Sequence, residues 1–292
     1  MSIPDIHPNW HRPFERITDG YSLEITGKDE RALRDAAPAI PAETPVAVTF
    51  LPGEPLELRV AAAVAVRDLD LEPMPHFSAR RIRSEDDFSG YLKRTVAAAG
   101  VRRAFVVAGD PPQPEGPYAD TSALLATGAF EEAGITAIGI GGHPEGHPAM
   151  SRQQTWDVLH SKIADIQARG MAALIVTQFC FDADIVLDWL AETRRRGIDV
   201  PVRIGVPGPA GIKTLLRFAA HCGVGASTTV LRKYGISLRA LVGSAGPDEL
   251  VRRLEQGLGA EHGKVRLHFY PFGGVRRTAD WIADYAAAPA QG

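Results

Sequence analysis

The chain has 292 residues, 45% of them hydrophobic, and carries a formal net charge of −3 with a pI near 6.3. This weak charge gives no general attraction to nucleic acid or to an anionic membrane, so neither is expected as a partner. Its two cysteines, Cys180 and Cys222, lack C-x-x-C spacing and argue against a disulfide framework or a structural zinc site. The charged, proline-containing N-terminus and the absence of a long apolar run predict a cytoplasmic protein.

Short apolar segments alternate with longer amphipathic segments along most of the chain. Eight of the short segments are predicted to be strands, at residues 21–26, 46–50, 71–78, 104–108, 137–140, 174–178, 202–206 and 265–270. Their compact and often β-branched composition is typical of parallel strands that are buried on both faces. Helical spacing of apolar residues is clearest at 156–168, 184–196 and 249–257, and the last two segments end at a glycine.

Eight strands with intervening helices predict one closed (β/α)8 barrel, the TIM barrel of the α/β class. An open, doubly wound sheet is the alternative, because periodicity alone separates the two topologies only weakly. Residues 1–292 are predicted to form a single domain. It includes an N-terminal extension at 1–20 and an extra helical excursion at 222–247 before the last strand.

Glu24 is the first candidate for chemistry, because it lies in an apolar strand between Leu23 and Ile25. A carboxylate there is costly unless it is paired or faces a cavity. Desolvation would raise its pKa and suit it to proton donation. An exposed position on a terminal strand is the alternative interpretation.

Further polar groups lie at predicted strand ends, where parallel barrels collect their functional residues. His76 is compatible with ligand binding or with a hydrogen-bonded core histidine. Asp110 directly follows Gly109 and fits either a ligand site or an ordinary turn or helix cap. Gln178 offers both a donor and an acceptor, which suits a heterocyclic amide, although a solvated strand end explains it too.

The run HPEGHP at residues 143–148 contains two histidines and a glutamate but lacks the helical H-E-x-x-H spacing of a zinc site. No metal is therefore expected. The sequence also contains neither the G-x-G-x-x-G of a Rossmann site nor the G-x-x-x-x-G-K-[ST] of a P-loop.

Seven fragments that appear in order between residues 21 and 270 resemble the methylenetetrahydrofolate reductase family, whose members are flavin-containing barrels. The two most specific are the P-E-x-H-P and T-Q-F-x-F-D motifs. The fragments are SLEI at 22–25, VTF at 48–50, PHFS at 75–78, AGDPP at 108–112 with YAD at 118–120, HPEGHP at 143–148, TQFCFD at 177–182 and HFY at 268–270.

The resemblance implies an oxidoreductase that acts on a CH–NH donor and interconverts 5,10-methylenetetrahydrofolate and 5-methyltetrahydrofolate. NADH or NADPH would supply hydride, and bound FAD would pass it to the folate. Glu24 would be the general acid, Asp110 would contact the pterin and tune its protonation or the flavin's electronics, and Gln178 would hydrogen-bond the pterin. Phe181 and Ile212 would also contact the folate. The implied flavin-site residues are Thr49, His76, Gly109, Tyr118, Ala119, His143 and His147.

Two cations that contact the FAD phosphates in the family are not matched. Ala108 replaces an arginine, and Lys162 stands about one helical turn before the expected lysine. FAD could be held by substitutes, here Arg80, Arg81 or Arg169, or be held weakly. Three alternatives remain: direct hydride transfer from NADH to the folate, a tetrahydrofolate-dependent methyltransferase or demethylase, and a non-catalytic folate-binding protein. The direction of the reaction and a homo-oligomeric state are left open.

Overall fold

The structure is a computed structural model that describes residues 15–224 and 244–288. Eight parallel strands close into a barrel, in which each strand pairs with the next barrel strand along the chain and the last pairs with the first. The predicted barrel is therefore confirmed, and the open sheet is wrong. The strands are β1 (Ser22–Ile25), β2 (Pro45–Val48), β3 (Glu72–Ser78), β4 (Arg103–Val107), β5 (Ala137–Gly142), β6 (Ala172–Thr177), β7 (Val202–Pro207) and β10 (Val265–Tyr270).

Helices follow the strands and cover the outside of the barrel. Their bounds are α1 (Glu30–Ala36), α2 (Leu56–Asp68), α3 (Glu85–Ala99), α4 (Thr121–Leu125), α5 (Ala129–Glu132), α6 (Arg152–Ala168), α7 (Ala183–Arg195), α8 (Ile212–Cys222), α9 (Asp248–Gly257) and α10 (Val275–Ala287). Within the described residues, none of these helices has both the length and the apolar character needed to cross a membrane.

The start of α6 differs from its prediction by four residues. The helix begins at Arg152, because the Ser151 hydroxyl accepts the Gln154 N–H while the Gln154 side chain accepts the Ser151 N–H. This capping box satisfies two N-terminal donors of the helix, so polar residues extend it beyond the apolar pattern.

Side chains alternate along each strand between the barrel interior and the helices. Ala47, Met74, Phe105, Leu174 and Val176 belong to a separate apolar cluster inside the barrel. The alternate residues join the larger core between strands and helices. Because the strands are parallel, polar residues near their carboxyl ends meet at one mouth of the barrel.

The segment between β7 and β10 adds structure at this mouth. The short strands β8 (Ala210–Gly211) and β9 (Ser244–Ala245) pair antiparallel. Phe218 of α8 stacks on Phe272, which follows β10, with ring centroids 4.1 Å apart. Helix α8 therefore packs against the loop at the end of the last strand. Most of the predicted excursion at 222–247 lies outside the described residues, as do residues 1–14 of the predicted extension.

Candidate active site

Glu24 lies in the barrel mouth between two histidines. Its Oε2 atom is 3.5 Å from His76 Nε2 and 3.8 Å from His268 Nε2, and its side chain is 20% exposed. Burial raises the pKa of the Glu24 carboxyl above its ordinary value, and the nearby His76 partly offsets this rise. The environment thus favours the neutral acid, which is the form that can donate a proton.

Both histidine rings beside Glu24 are kept neutral by their surroundings. Burial lowers the pKa of His76 to about 4 and the pKa of His268 to about 3. The His76 ring also packs on Phe105 with centroids 4.6 Å apart. At neutral pH, the contacts of Glu24 with these rings are therefore dipolar contacts and not ion pairs.

A second layer of polar contacts holds His268 in place. Its Nδ1 atom lies 2.8 Å from Ser22 Oγ, across the parallel pairing of β1 with β10. Its Nε2 atom has no hydrogen-bond partner within the described residues. Tyr270 packs edge-on to the ring at 4.9 Å and donates a 3.0 Å hydrogen bond to the Thr177 carbonyl. The sequence pattern alone predicts no role for Ser22 or His268. Ser22 lies two residues before Glu24, and His268 lies two residues before Tyr270. Residues two apart on a strand face the same side, so this spacing could have identified both as lining the barrel interior.

Gln178 follows β6, and the structure places it at the same mouth. Its N–H donates to the Gly142 carbonyl (2.8 Å), and its Oε1 accepts the Phe179 N–H (3.1 Å). Its amide nitrogen makes no hydrogen bond within the described part of the chain, so it remains a donor for a ligand.

Two other residues assigned to folate contact are buried: Phe181 packs on Phe179, and Ile212 begins α8 at 5% exposure.

The loop that carries Gln178 is tied to the loop at 143–148. The Cys180 thiol donates to Glu145 Oε1 over 3.0 Å. Cys180 is buried, and burial raises the pKa of its thiol. This hydrogen bond connects the loop predicted to contact the folate with the loop predicted to contact the flavin.

Asp110 occupies the rim of the mouth. Its side chain is 67% exposed, and both carboxylate oxygens accept from the Arg81 guanidinium, at 2.8 and 2.7 Å. Gly109 before it has φ +94°, and a Cβ at that position would lie 2.3 Å from Ser78 Oγ, so only glycine fits there without a shift. No hydrogen bond or ion pair joins Asp110 to Glu24 in the described residues.

Apart from His76 on β3, the residues implied for a cofactor lie along the loops after β2, β4 and β5. The Thr49 hydroxyl is buried and has no partner within the described residues. Tyr118 packs on Phe88 at 5.6 Å, and the Ala119 carbonyl accepts from Arg80 Nε at 2.8 Å.

His143 and His147 meet edge to face, with centroids 4.9 Å apart. Burial lowers the pKa of His143 to about 4. Burial, followed by the charges of Lys162 and Arg80, lowers the pKa of His147. Both rings are therefore neutral near pH 7.

Two of the three proposed substitute cations are engaged elsewhere. Arg81 pairs with Asp110 and Glu115. Arg169 ends α6, near the start of β6 and hence at the opposite end of the barrel, where it pairs with Asp165 and Glu131. The proposed role of Arg169 at the mouth is therefore wrong.

A (β/α)8 barrel with a buried acid at the carboxyl ends of its strands is the arrangement of a barrel enzyme site. The sequence model of the methylenetetrahydrofolate reductase family matches residues 30–271, so the chain belongs to that family. The predicted resemblance is confirmed.

The chain is 29% identical to methylenetetrahydrofolate reductase (NADH) 1 of Arabidopsis thaliana over 164 residues, which is 52% of this chain and 27% of that protein. It is 28% identical to methylenetetrahydrofolate reductase 2 of Saccharomyces cerevisiae over 127 residues, 41% of this chain and 20% of that protein. The matched region spans about a quarter of the length of these relatives.

A solved structure has a similar fold: a Clostridium thermocellum protein described as binding two copies of 5-methyl-5,6,7,8-tetrahydrofolic acid. It aligns with a TM-score of 0.57 over 90% of this chain and 92% of that chain, at 13% identity. At that identity, the likeness supports the barrel fold alone.

Proposed function

We propose that the protein is an oxidoreductase that interconverts 5,10-methylenetetrahydrofolate and 5-methyltetrahydrofolate with NADH. The observation that carries this proposal is Glu24, a buried carboxyl group whose raised pKa favours the neutral acid, placed between two neutral histidines at the barrel mouth. Membership of the family supports the reaction, and the NADH in the names of plant relatives supports the choice of nicotinamide.

In the reductive direction, Glu24 donates its proton to N10 of the folate as the bond from N10 to the methylene carbon breaks. Hydride then reduces that carbon to the methyl group, so one proton and one hydride are consumed for each turnover. His268 and His76 hold the carboxyl group in place without competing for its proton, because both rings bind protons only at acidic pH. In the oxidative direction, the same carboxylate takes the proton back.

Gln178 and Thr49 are suited to orient the substrate and the hydride donor. The Gln178 amide nitrogen is a donor without a partner in the described residues, and a pterin offers carbonyl and ring-nitrogen acceptors. The Thr49 hydroxyl is buried without a partner in those residues, which is costly until a ligand or water satisfies it.

Part of the mouth suits FAD, because it offers a free hydroxyl donor and a point of close backbone approach. Thr49 offers a hydroxyl without a partner in the described residues, and Gly109 lets the backbone after β4 approach closely. Tyr118, Ala119, His143 and His147 would complete this side of the site, with His76 at its base. When bound, FAD supplies a carrier that accepts hydride from the nicotinamide and releases it to the folate.

Direct transfer from NADH to the folate is the second candidate, and one observation favours it. The family's arginine is Ala108, and Asp110, which the family uses at the pterin or flavin, is held by Arg81. Methyl transfer and non-catalytic binding need no hydride donor, so an assay of NADH oxidation separates them from both redox mechanisms.

The first test records the visible absorbance of the purified protein before and after denaturation and measures NADH oxidation with 5,10-methylenetetrahydrofolate. Released FAD supports the carrier mechanism, whereas turnover without any flavin supports direct transfer. Glu24→Gln is expected to reduce kcat by about 10²–10⁴-fold, because glutamine keeps the size but cannot donate the proton. Full turnover by this variant, with 5-methyltetrahydrofolate binding unchanged, would sink the proposed role of Glu24.

A further inference from the structure

A cavity of about 340 Å³ lies beside the first turns of α2 and α3. It is lined by residues 50–56 after β2, by residues 81–83 after β3, and by side chains that include Arg59 and Tyr91. Its volume falls within the range of about 300–1,000 Å³ that is usual for small-molecule sites. Tyr91 belongs to the core between the strands and the helices, so the cavity lies outside the barrel interior. It is therefore a place apart from Glu24 and Gln178, neither of which lines it.

Arg59 is a buried cation in the wall of this cavity. Its side chain is 6% exposed, and its guanidinium makes no hydrogen bond or ion pair within residues 15–224 and 244–288. Among its nitrogens only Nε is fully enclosed without a hydrogen-bond partner, so the two Nη groups are the ones that a ligand can reach. A buried charge without hydrogen bonds is costly, and an anion in the cavity would offset that cost.

Two aromatic rings hold the guanidinium of Arg59 in position. Its Cζ atom lies 3.6 Å from the centroid of the Phe50 ring and 5.2 Å from the centroid of the Tyr91 ring. The two rings contact each other edge to face, with centroids 6.1 Å apart. A guanidinium that stacks on a ring keeps its N–H groups in the plane at its edge, where they match the two oxygens of a carboxylate. Because the rings already order the side chain, little of its freedom is lost when it binds an anion.

The other charged groups of the cavity restrict the charge of the ligand. Glu115 pairs with Arg81 at 3.3 Å and with Arg83 at 3.7 Å, so these three side chains largely balance one another. Glu54 is 8% exposed, and both of its carboxyl oxygens are enclosed without a hydrogen-bond partner in the described residues. Burial raises the pKa of Glu54, and the charge of Arg59 offsets this rise in part. A ligand with two negative charges would be repelled by these carboxyl groups, whereas a monoanion can pair with Arg59 alone.

Part of the wall of the cavity is apolar and suits the body of an organic ligand. Leu51, Pro52 and Ile82 contribute to this wall, and Leu51 is 38% exposed although it is a large apolar side chain. We propose that the cavity binds a small organic monocarboxylate, with its carboxylate on the Nη groups of Arg59 and its apolar body against Leu51, Pro52 and Ile82. This site is additional to the proposed function and does not depend on it.

The test is the binding of benzoate to the purified full chain, measured by isothermal titration calorimetry. Benzamide has the same shape without the charge, and inorganic phosphate has charge without an apolar body, so both should bind about 10-fold more weakly or worse. Arg59→Met is expected to weaken benzoate binding by about 10- to 100-fold, the range for losing one charged hydrogen bond, while methionine keeps an unbranched stem against Phe50. Arg31→Met removes the same charge from an exposed position on α1 and serves as the matched control.

Amide NMR of the unmodified protein locates the bound benzoate without any variant. Shifts should move at residues 50–59 and 81–91, which form the cavity, and this result decides the question even if Arg59→Met does not fold.

The outcomes either support the carboxylate site or overturn it. Benzoate binding that maps to the cavity, is weakened in Arg59→Met and is kept in Arg31→Met supports it. Unchanged binding by Arg59→Met overturns it, as does equal binding of benzamide or phosphate, a set of shifts confined to the loops around Glu24 and Gln178, or no benzoate binding by the unmodified protein. None of these measurements needs turnover, so the site can fail while the proposed oxidoreductase function stands, and the reverse.

Discussion

The hydrogen bond between Ser22 and His268 sets which ring nitrogen faces Glu24, and Ser22→Ala removes it. Ser22 Oγ lies 2.8 Å from His268 Nδ1 and 3.5 Å from the Leu267 carbonyl oxygen. We infer that the hydroxyl donates to the carbonyl and accepts from Nδ1–H. In that tautomer, Nε2 keeps a lone pair facing the Glu24 carboxyl group 3.8 Å away, which favours the protonated acid.

The alanine variant should lose stability and change the titration of the acid. Nδ1 is left without its partner in a buried site, which lowers the free energy of unfolding by about 1–3 kcal/mol. For a chain of this size, that loss lowers Tm by about 2–12 °C. The ring is also released to carry its proton on Nε2, where it stabilises the ionised carboxylate. The pKa of Glu24 should therefore fall, and the alkaline limb of kcat in the reductive direction should move to lower pH.

Thermal unfolding followed by circular dichroism and a pH profile of kcat measure the two effects separately. Ser161→Ala, at an exposed position of α6, is the control for a serine without this role. A lower Tm with an unmoved alkaline limb would refute the link between the His268 tautomer and Glu24. An unchanged Tm would show that the hydrogen bond itself contributes nothing.

Two further predictions concern the neutral histidines and the loop at 143–148. Burial lowers the pKa of His76 and His143 to about 4 and that of His268 to about 3, from an ordinary 6.5, so the unfolded chain binds protons that the folded chain does not. The free energy of unfolding should thus fall as pH drops from 6.5 towards 4, by up to about 1.4 kcal/mol per pH unit for each ring. The raised pKa values of Glu24 and Glu54 oppose this fall, but they are two groups against three rings. A urea midpoint that stays constant over this range contradicts the argument. Cys180→Ala removes the thiol hydrogen bond to Glu145 and should cost about 1 kcal/mol and speed amide exchange in the loop. Cys180→Ser should restore both values, and unchanged exchange in the alanine variant would speak against a tie between the loops.

The fold could be predicted from the sequence because its signals are local. Each barrel strand is a short apolar run, and all eight predictions fall within two residues of the observed bounds. Glu24 could be predicted for the same reason, since a carboxylate between Leu23 and Ile25 already indicates a buried acid. The location of Gln178 at the mouth follows from its place at a strand end.

The contacts that tune the site could not be predicted, because they join residues that are distant in the chain. Ser22 and His268 are 246 positions apart and meet only because β1 pairs with β10 when the barrel closes. The pairing of Arg81 with Asp110 depends on how two neighbouring loops pack, which residue spacing does not encode. The location of Arg169 could not be predicted either, because the direction of α6, and not its composition, decides which end of the barrel the residue reaches.

The replacement of the family's arginine by Ala108 is consistent with the positive charges that lie around that position. The Ala108 carbonyl accepts the Arg80 N–H at 2.8 Å, so the loop after β3 lies directly beside the position of the missing arginine. That loop already contributes Arg80, which donates to the Ala119 and Pro111 carbonyls, and Arg81, which pairs with Asp110. An arginine at 108 would bring a third guanidinium into the same few ångströms, where like charges repel. A small residue at 108 avoids this repulsion.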